Sequence, residues 1–126
     1  MNGFIDDIEK LTKENNFFRK VLFTGKHSQL VVMSLKPGEE IGLEVHDNVD
    51  QFFRVDEGEG EVTIDGKKSQ IKDGFAVVVP AGSKHNIVNT GDTDLKLYTI
   101  YSPPNHPDGT IHKTYQEAMK AEEHHH

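Results

Sequence analysis

Glu44-Val45-His46, then Gln51, then His85 place four polar side chains at fixed offsets among short apolar runs and turns. Glu44 and His46 are two apart, so on a strand they point to the same face. Gln51 follows the turn-like Asp47-Asn48-Val49-Asp50 and opens the apolar run Phe52-Phe53-Arg54-Val55. His85 follows Pro80-Ala81-Gly82, a turn after the run Val77-Val78-Val79. If these strands line the interior of a small β-barrel, the four side chains converge on one divalent ion. Imidazole nitrogen, carboxylate oxygen and amide oxygen are all metal donors.

Outward from this stretch, Phe17 to Tyr101 is a series of short apolar runs broken by turns. The breaks are Pro37-Gly38, Asp47-Asn48, Gly58-Glu59-Gly60, Asp65-Gly66, Asp73-Gly74, Pro80-Ala81-Gly82 and Gly91-Asp92. Their spacing approaches the roughly 8–12 residues of sandwiches and barrels. Asp65-Gly66, between Val62-Thr63-Ile64 and Lys67-Lys68-Ser69-Gln70-Ile71, predicts a tight hairpin, because Asp-Gly accepts positive backbone angles. Val31-Val32-Met33 and Val77-Val78-Val79 are too continuous for strands with one solvated face. A second layer or a subunit contact is expected to cover both. Ile5, Ile8 and Leu11 predict an amphipathic helix over about the first fifteen residues. Residues 103–110 read as a Pro-rich loop. Thr114 to Glu123 reads as a terminal helix, with Thr114 as N-cap and Glu117 as its capping-box partner.

With 126 residues, one domain over residues 1–123 is expected, and His124-His125-His126 read as a purification-tag remnant. The chain has no cysteine, which excludes disulfides and thiolate metal sites and accords with a cytoplasmic location. Met1 to Asp7 is acidic and lacks a signal-like apolar run. No stretch is long and apolar enough to span a bilayer. A net charge of −7 without a basic stripe argues against nucleic acid and anionic membrane surfaces as partners. A small-molecule ligand is the expected partner.

Residues 38–89 resemble the two linked motifs of the cupin superfamily. The first motif is Gly, five residues, His-x-His, three or four residues, Glu, six residues, Gly; Gly38, Glu44, His46, Gln51 and Gly58 stand at its positions. Gly74, Pro80, Gly82, His85 and Asn89 match the second motif throughout. The segment from Ser102 to Lys113 resembles a subgroup of small stand-alone bacterial cupins labelled mannose-6-phosphate-isomerase-like. The resemblance implies an all-β fold: a double-stranded β-helix (jelly-roll) barrel, here with short N- and C-terminal helices. It also implies a divalent metal and a homodimer.

Many cupins supply three histidines and one glutamate. Here Glu44 replaces the first histidine and Gln51 replaces the glutamate, so the carboxylate has in effect moved between corners and the charge of the site is kept. Two nitrogen and two oxygen donors shift preference toward Mn²⁺ or Fe²⁺, with Zn²⁺ and Ni²⁺ also accepted. Gln51 has two readings, a direct ligand or a residue that hydrogen-bonds one. Asn89 is expected to hold a turn or strand end.

His106 and His112 flank Pro107-Asp108-Gly109-Thr110. Either this loop is a lid bringing an acid or base over the barrel mouth, or it simply packs on the barrel or a partner. Tyr98 and Tyr101 have opposite strand parity, so only one can face inward; an inward tyrosine would be a further acid–base candidate, and Tyr98 is taken with His106 and His112 as the catalytic set. Arg54 and Lys84 are the cations nearest the motifs in sequence. The site as a whole predicts Lewis-acid isomerase or lyase chemistry on a sugar, sugar phosphate, or hydroxy or keto acid. An Fe-dependent dioxygenase and a non-catalytic, metal-anchored binding module are the alternatives.

Overall fold

The computed structural model describes residues 2–123. Helix α1 (Ile8–Glu14) precedes strands β1 (Arg19–Thr24), β2 (Gln29–Leu35), β3 (Asp50–Glu57), β4 (Glu59–Ile64), β5 (Lys67–Lys72), β6 (Ala76–Val79), β7 (His85–Val88), β8 (Leu95–Ser102) and β9 (Ile111–His112). Helix α2 (Tyr115–Glu123) follows. One antiparallel sheet has the order β6-β3-β8-β2-β1-β9, the other β5-β4-β7. Residues 40–44 add irregular pairing beside β7, through bridges Glu40↔Val88 and Glu44↔His85. The two sheets close on one core that includes Val31, Met33, Leu35, Phe53, Val55, Ile87, Leu95 and Leu97. This is the predicted all-β jelly roll with two short helices.

Local chemistry explains the elements. Asp65 (φ 48°) and Gly66 (φ 85°) both take positive φ, the requirement of the tight hairpin turn, and β4 and β5 pair in register from Ile64↔Lys67 outward. Gly58 has φ 95°, and a Cβ there would stand 2.6 Å from the Asp94 carbonyl oxygen, so a side chain is excluded on both counts. The Thr114 hydroxyl accepts from Glu117 N–H at 3.1 Å, as expected of an N-cap, whereas the Glu117 carboxylate accepts from Lys113 N–H rather than from Thr114's own.

Two expectations change. Helix α1 starts only at Ile8, because extended Asp7 is its N-cap and accepts from Lys10 N–H. Ile5 therefore precedes the helix and is fully exposed. The continuous run in β2 is covered on both faces, its inner face by the core and its outer face by α1, where Thr12 is fully buried. The run in β6 is not: Val77 and Val79 are buried, but Val78 is 63% exposed. Strand β6 ends the sheet, and α1 contacts β2, β8 and β3 instead.

Candidate metal centre and cavity

The inner face of the larger sheet changes character along its length. Met33, Leu97 and Val55 form an apolar cross-strand row, whereas Gln29, Tyr101 and Gln51 form a polar one, joined by Val79. All three polar side chains are buried. That polar row lies at the candidate site.

The second sheet brings the other donors. His85 begins β7 and is 1% exposed, with its ring against Phe53. Its Nδ1 lies 3.2 Å from the Ser83 carbonyl oxygen. A carbonyl can only accept, so Nδ1 carries the proton and Nε2 keeps its lone pair. Nε2 is buried and has no hydrogen-bond partner among the described residues. Glu44 and His85 exchange two backbone hydrogen bonds of 2.9 Å, which fixes the first motif against the second. The Gly82 N–H adds a third tie, 2.8 Å to the His46 carbonyl oxygen. Donor atoms of Glu44, His46 and His85 consequently all lie within 4.8 Å of one another.

Glu44 and His46 are partly exposed and bond each other, Oε2 to Nε2 at 2.7 Å. Gln51 sits beside Tyr101 in the polar row. Its Nε2 donates to Thr99 Oγ1 at 3.0 Å, and its Oε1 is buried without a partner. Unpartnered buried acceptors are costly unless something positive binds them. An unpartnered imidazole nitrogen on His85, with a carboxylate and a second imidazole clustered beside it, fits a divalent cation, and Gln51 Oε1 is a further unpartnered acceptor in the neighbouring row.

A cavity of about 270 Å³ opens on this cluster, just below the roughly 300–1,000 Å³ usual for small-molecule sites. Glu44, His46, His106 and His112 line it, as do Thr110 and Glu122. The 103–110 loop is both packed and inward-facing. Gln29 pins it, its Nε2 donating to the His106 carbonyl oxygen and its Oε1 accepting from the N–H groups of Asn105 and His106. His106 Nε2 lies 3.3 Å from the Tyr101 hydroxyl. Burial, aided by Glu44, pushes the Tyr101 phenol up to about 12 against the pull of Arg19 and Gln51, so Tyr101 stays protonated at neutral pH.

Tyr98 as a catalytic candidate requires correction. It lies on the outer face of β8, against Phe52, and the inward tyrosine is Tyr101. The two cations nearest the motifs in sequence lie away from the site, as surface charges. Lys84 is exposed, and Arg54 is on the outer face beside Asp56. Among the described residues, the lysine or arginine that lines the cavity is Arg19, 1% exposed, with Nη1 3.1 Å from His112 Nδ1. Its signal in the sequence was an arginine two residues before Val21, on the same strand face as a core valine. Gln29 was missed for a similar reason, since it stands alone at the start of an apolar strand. Asn89 does what was expected: buried, it donates to the Leu35 and Thr93 carbonyls and accepts from Gly91 N–H.

A two-sheet barrel with clustered His and Glu donors at one end defines the class. The cupin domain family matches residues 31–101, and the chain belongs to it. An uncharacterised Bacillus subtilis protein, YrkC, is 52% identical over 126 residues, covering 95% of this chain and 68% of that one. A crystal structure of a Bacillus halodurans protein superposes with a TM-score of 0.93 at 46% identity, covering 94% of this chain and 95% of that one. The oxalate-binding protein of Thermotoga maritima is 35% identical over 68 residues, 54% of this chain and 56% of that one.

Proposed function

We propose that this protein is a metal-dependent cupin that isomerises, or eliminates from, a small oxygen-rich molecule. The observation that carries the reading is the convergence of Glu44, His46 and His85, the first two lining the cavity and the third buried behind them with its Nε2 unpartnered. These three residues would hold the ion, and Gln51 Oε1 would be the fourth donor. With two nitrogens and two oxygens the preferred ion is Mn²⁺ or Fe²⁺. When bound, such an ion supplies Lewis acidity that polarises a substrate carbonyl. The chain's residues do the rest. Tyr101 positions His106 by its hydroxyl, and His106 moves the proton at the cavity wall. The loop pinned by Gln29 restricts water at the mouth. The substrate class is a sugar, a sugar phosphate, or a hydroxy or keto acid. The segment 102–113 supports placing the protein with the mannose-6-phosphate-isomerase-like small cupins.

A second reading is a binding module that anchors its ligand on the metal without turnover; the oxalate-binding relative favours it. Assaying hydroxy acids and sugar acids with Mn²⁺- and Fe²⁺-loaded protein, with and without O₂, separates the readings. Turnover without O₂ is expected. Turnover only with O₂ means a dioxygenase, and binding without turnover means the module.

A homodimer completes the proposal. Leu30, Ile100, Phe52 and Val78 form one apolar row across the outer face, in the half that α1 leaves open. A second copy covering this row would bury Val78. Light scattering should give a dimer, and Val78→Lys should shift it toward monomer; a wild-type monomer at every concentration would refute the idea.

A further inference from the structure

We infer that Arg19 is the anion-recognition residue of the cavity and that the ligand is a short polyhydroxylated carboxylate. This deepens the metal-dependent reading above and rests on it. A buried guanidinium needs a reason. Arg19 lies at 1% exposure on the inner face of β1, opposite Met33, at a position where the strand otherwise turns Val21 to the core. An arginine that served only to seal the barrel would have its donors satisfied by the protein. Arg19 is satisfied only in part: Nη1 meets His112 Nδ1, Cζ lies 5.4 Å from the Phe18 ring centroid, and buried Nε has no hydrogen-bond partner among the described residues. The Phe18 ring and His112 hold the guanidinium plane in place, as a pre-formed fork requires.

Charge points to the same ligand. Among the described lining residues the charged groups are Arg19, Glu44 and Glu122. With neutral histidines these sum to a single negative charge, and a divalent ion turns the sum positive. A monoanion then neutralises the cavity, whereas a neutral sugar leaves the charge uncompensated. A bound ion would accept vicinal hydroxyl oxygens, while Arg19 takes the carboxylate, whose planar two-oxygen edge matches a guanidinium. The cavity of about 270 Å³ has room for a ligand of this kind.

The test uses glycerate, threonate and arabinonate, each against its own amide, on Mn²⁺-loaded full-length protein. Free Mn²⁺ is followed by electron paramagnetic resonance and ligand binding by calorimetry. Wild type should retain Mn²⁺ and bind at least one acid about tenfold or more tighter than its amide. Arg19→Gln should retain Mn²⁺ equally and lose that discrimination. Arg19→Lys, which keeps stem and charge without the fork, should keep Mn²⁺ and only part of the preference, and it serves if the glutamine variant fails to fold. A purely structural arginine would lower affinity for acid and amide alike, which would overturn the assignment. Undiminished preference in the variants, or none in wild type for any of the three pairs, would also overturn it. Failure of wild type to retain Mn²⁺ is a different result and would instead refute the metal reading.

Discussion

The two halves of the candidate metal centre are built differently. His85 and Gln51 lie on regular strands, buried, each with one side of its polar group engaged by the protein and the other side unpartnered. Glu44 and His46 lie on an irregular segment, partly exposed, and satisfy each other. The first half is set by barrel packing. The second is held by backbone bonds to its neighbours, and its side chains would have to exchange their mutual bond for a metal. One half of the candidate centre is thus part of the core, and the other lies nearer the surface.

The largest expected effect separates these halves. His85→Ala should lower Mn²⁺ affinity by more than the ~10–100-fold typical of losing a residue that merely supports a ligand. It should also destabilise the metal-free protein by ~2–5 kcal/mol, because the ring fills core space against Phe53. His46→Ala should lower affinity comparably yet cost the metal-free protein only ~1 kcal/mol, because its side chain is only partly buried. Denaturant titrations with and without Mn²⁺ measure both quantities; equal metal-free stabilities for the two variants would erase the distinction.

Metal itself should stabilise the wild type. At about 100 times Kd, Mn²⁺ is expected to add ~2.7 kcal/mol, and His85→Ala should show no such gain. Gln51→Glu sharpens the comparison within the buried half. A second carboxylate should raise Mn²⁺ affinity roughly tenfold. It should slow any turnover, because the ion's charge is better neutralised. Unchanged affinity would mean that Gln51 only supports the site through Thr99.

The smallest effect lies away from the site, under α1. Burial raises the Asp56 carboxyl above its ordinary value of 3.8, against the opposing pull of Arg54. The folded state then binds the proton more readily than the unfolded state. Stability must fall as pH rises from 3.8 through the folded value, and the loss is complete above it. Asp56→Asn should therefore be the more stable protein at neutral pH, with the advantage shrinking in acid. Melting curves across pH check the sign, and a variant less stable than wild type at pH 7 would contradict it.

Features legible in the chain were local or periodic. Turn glycines, the Asp65-Gly66 hairpin and the alternation of inward positions pointed to a β-sandwich or barrel, because strand parity and turn chemistry act over a few residues; the resemblance of the paired motifs added the jelly roll and brought forward Glu44, His46, Gln51 and His85. The rest depended on pairing between distant strands. Tyr101 rather than Tyr98 faces inward because β8 pairs in one register with both β2 and β3. Val78 stays exposed because β6 is an edge and α1 sits on other strands. Arg19, remote from the motifs in sequence, lines the cavity with Glu44 and His46 because β1 pairs with β9 and α2 follows it. Which strand lies beside which depends on contacts between residues far apart in the chain, and no local pattern around Arg19 or Tyr98 encodes them.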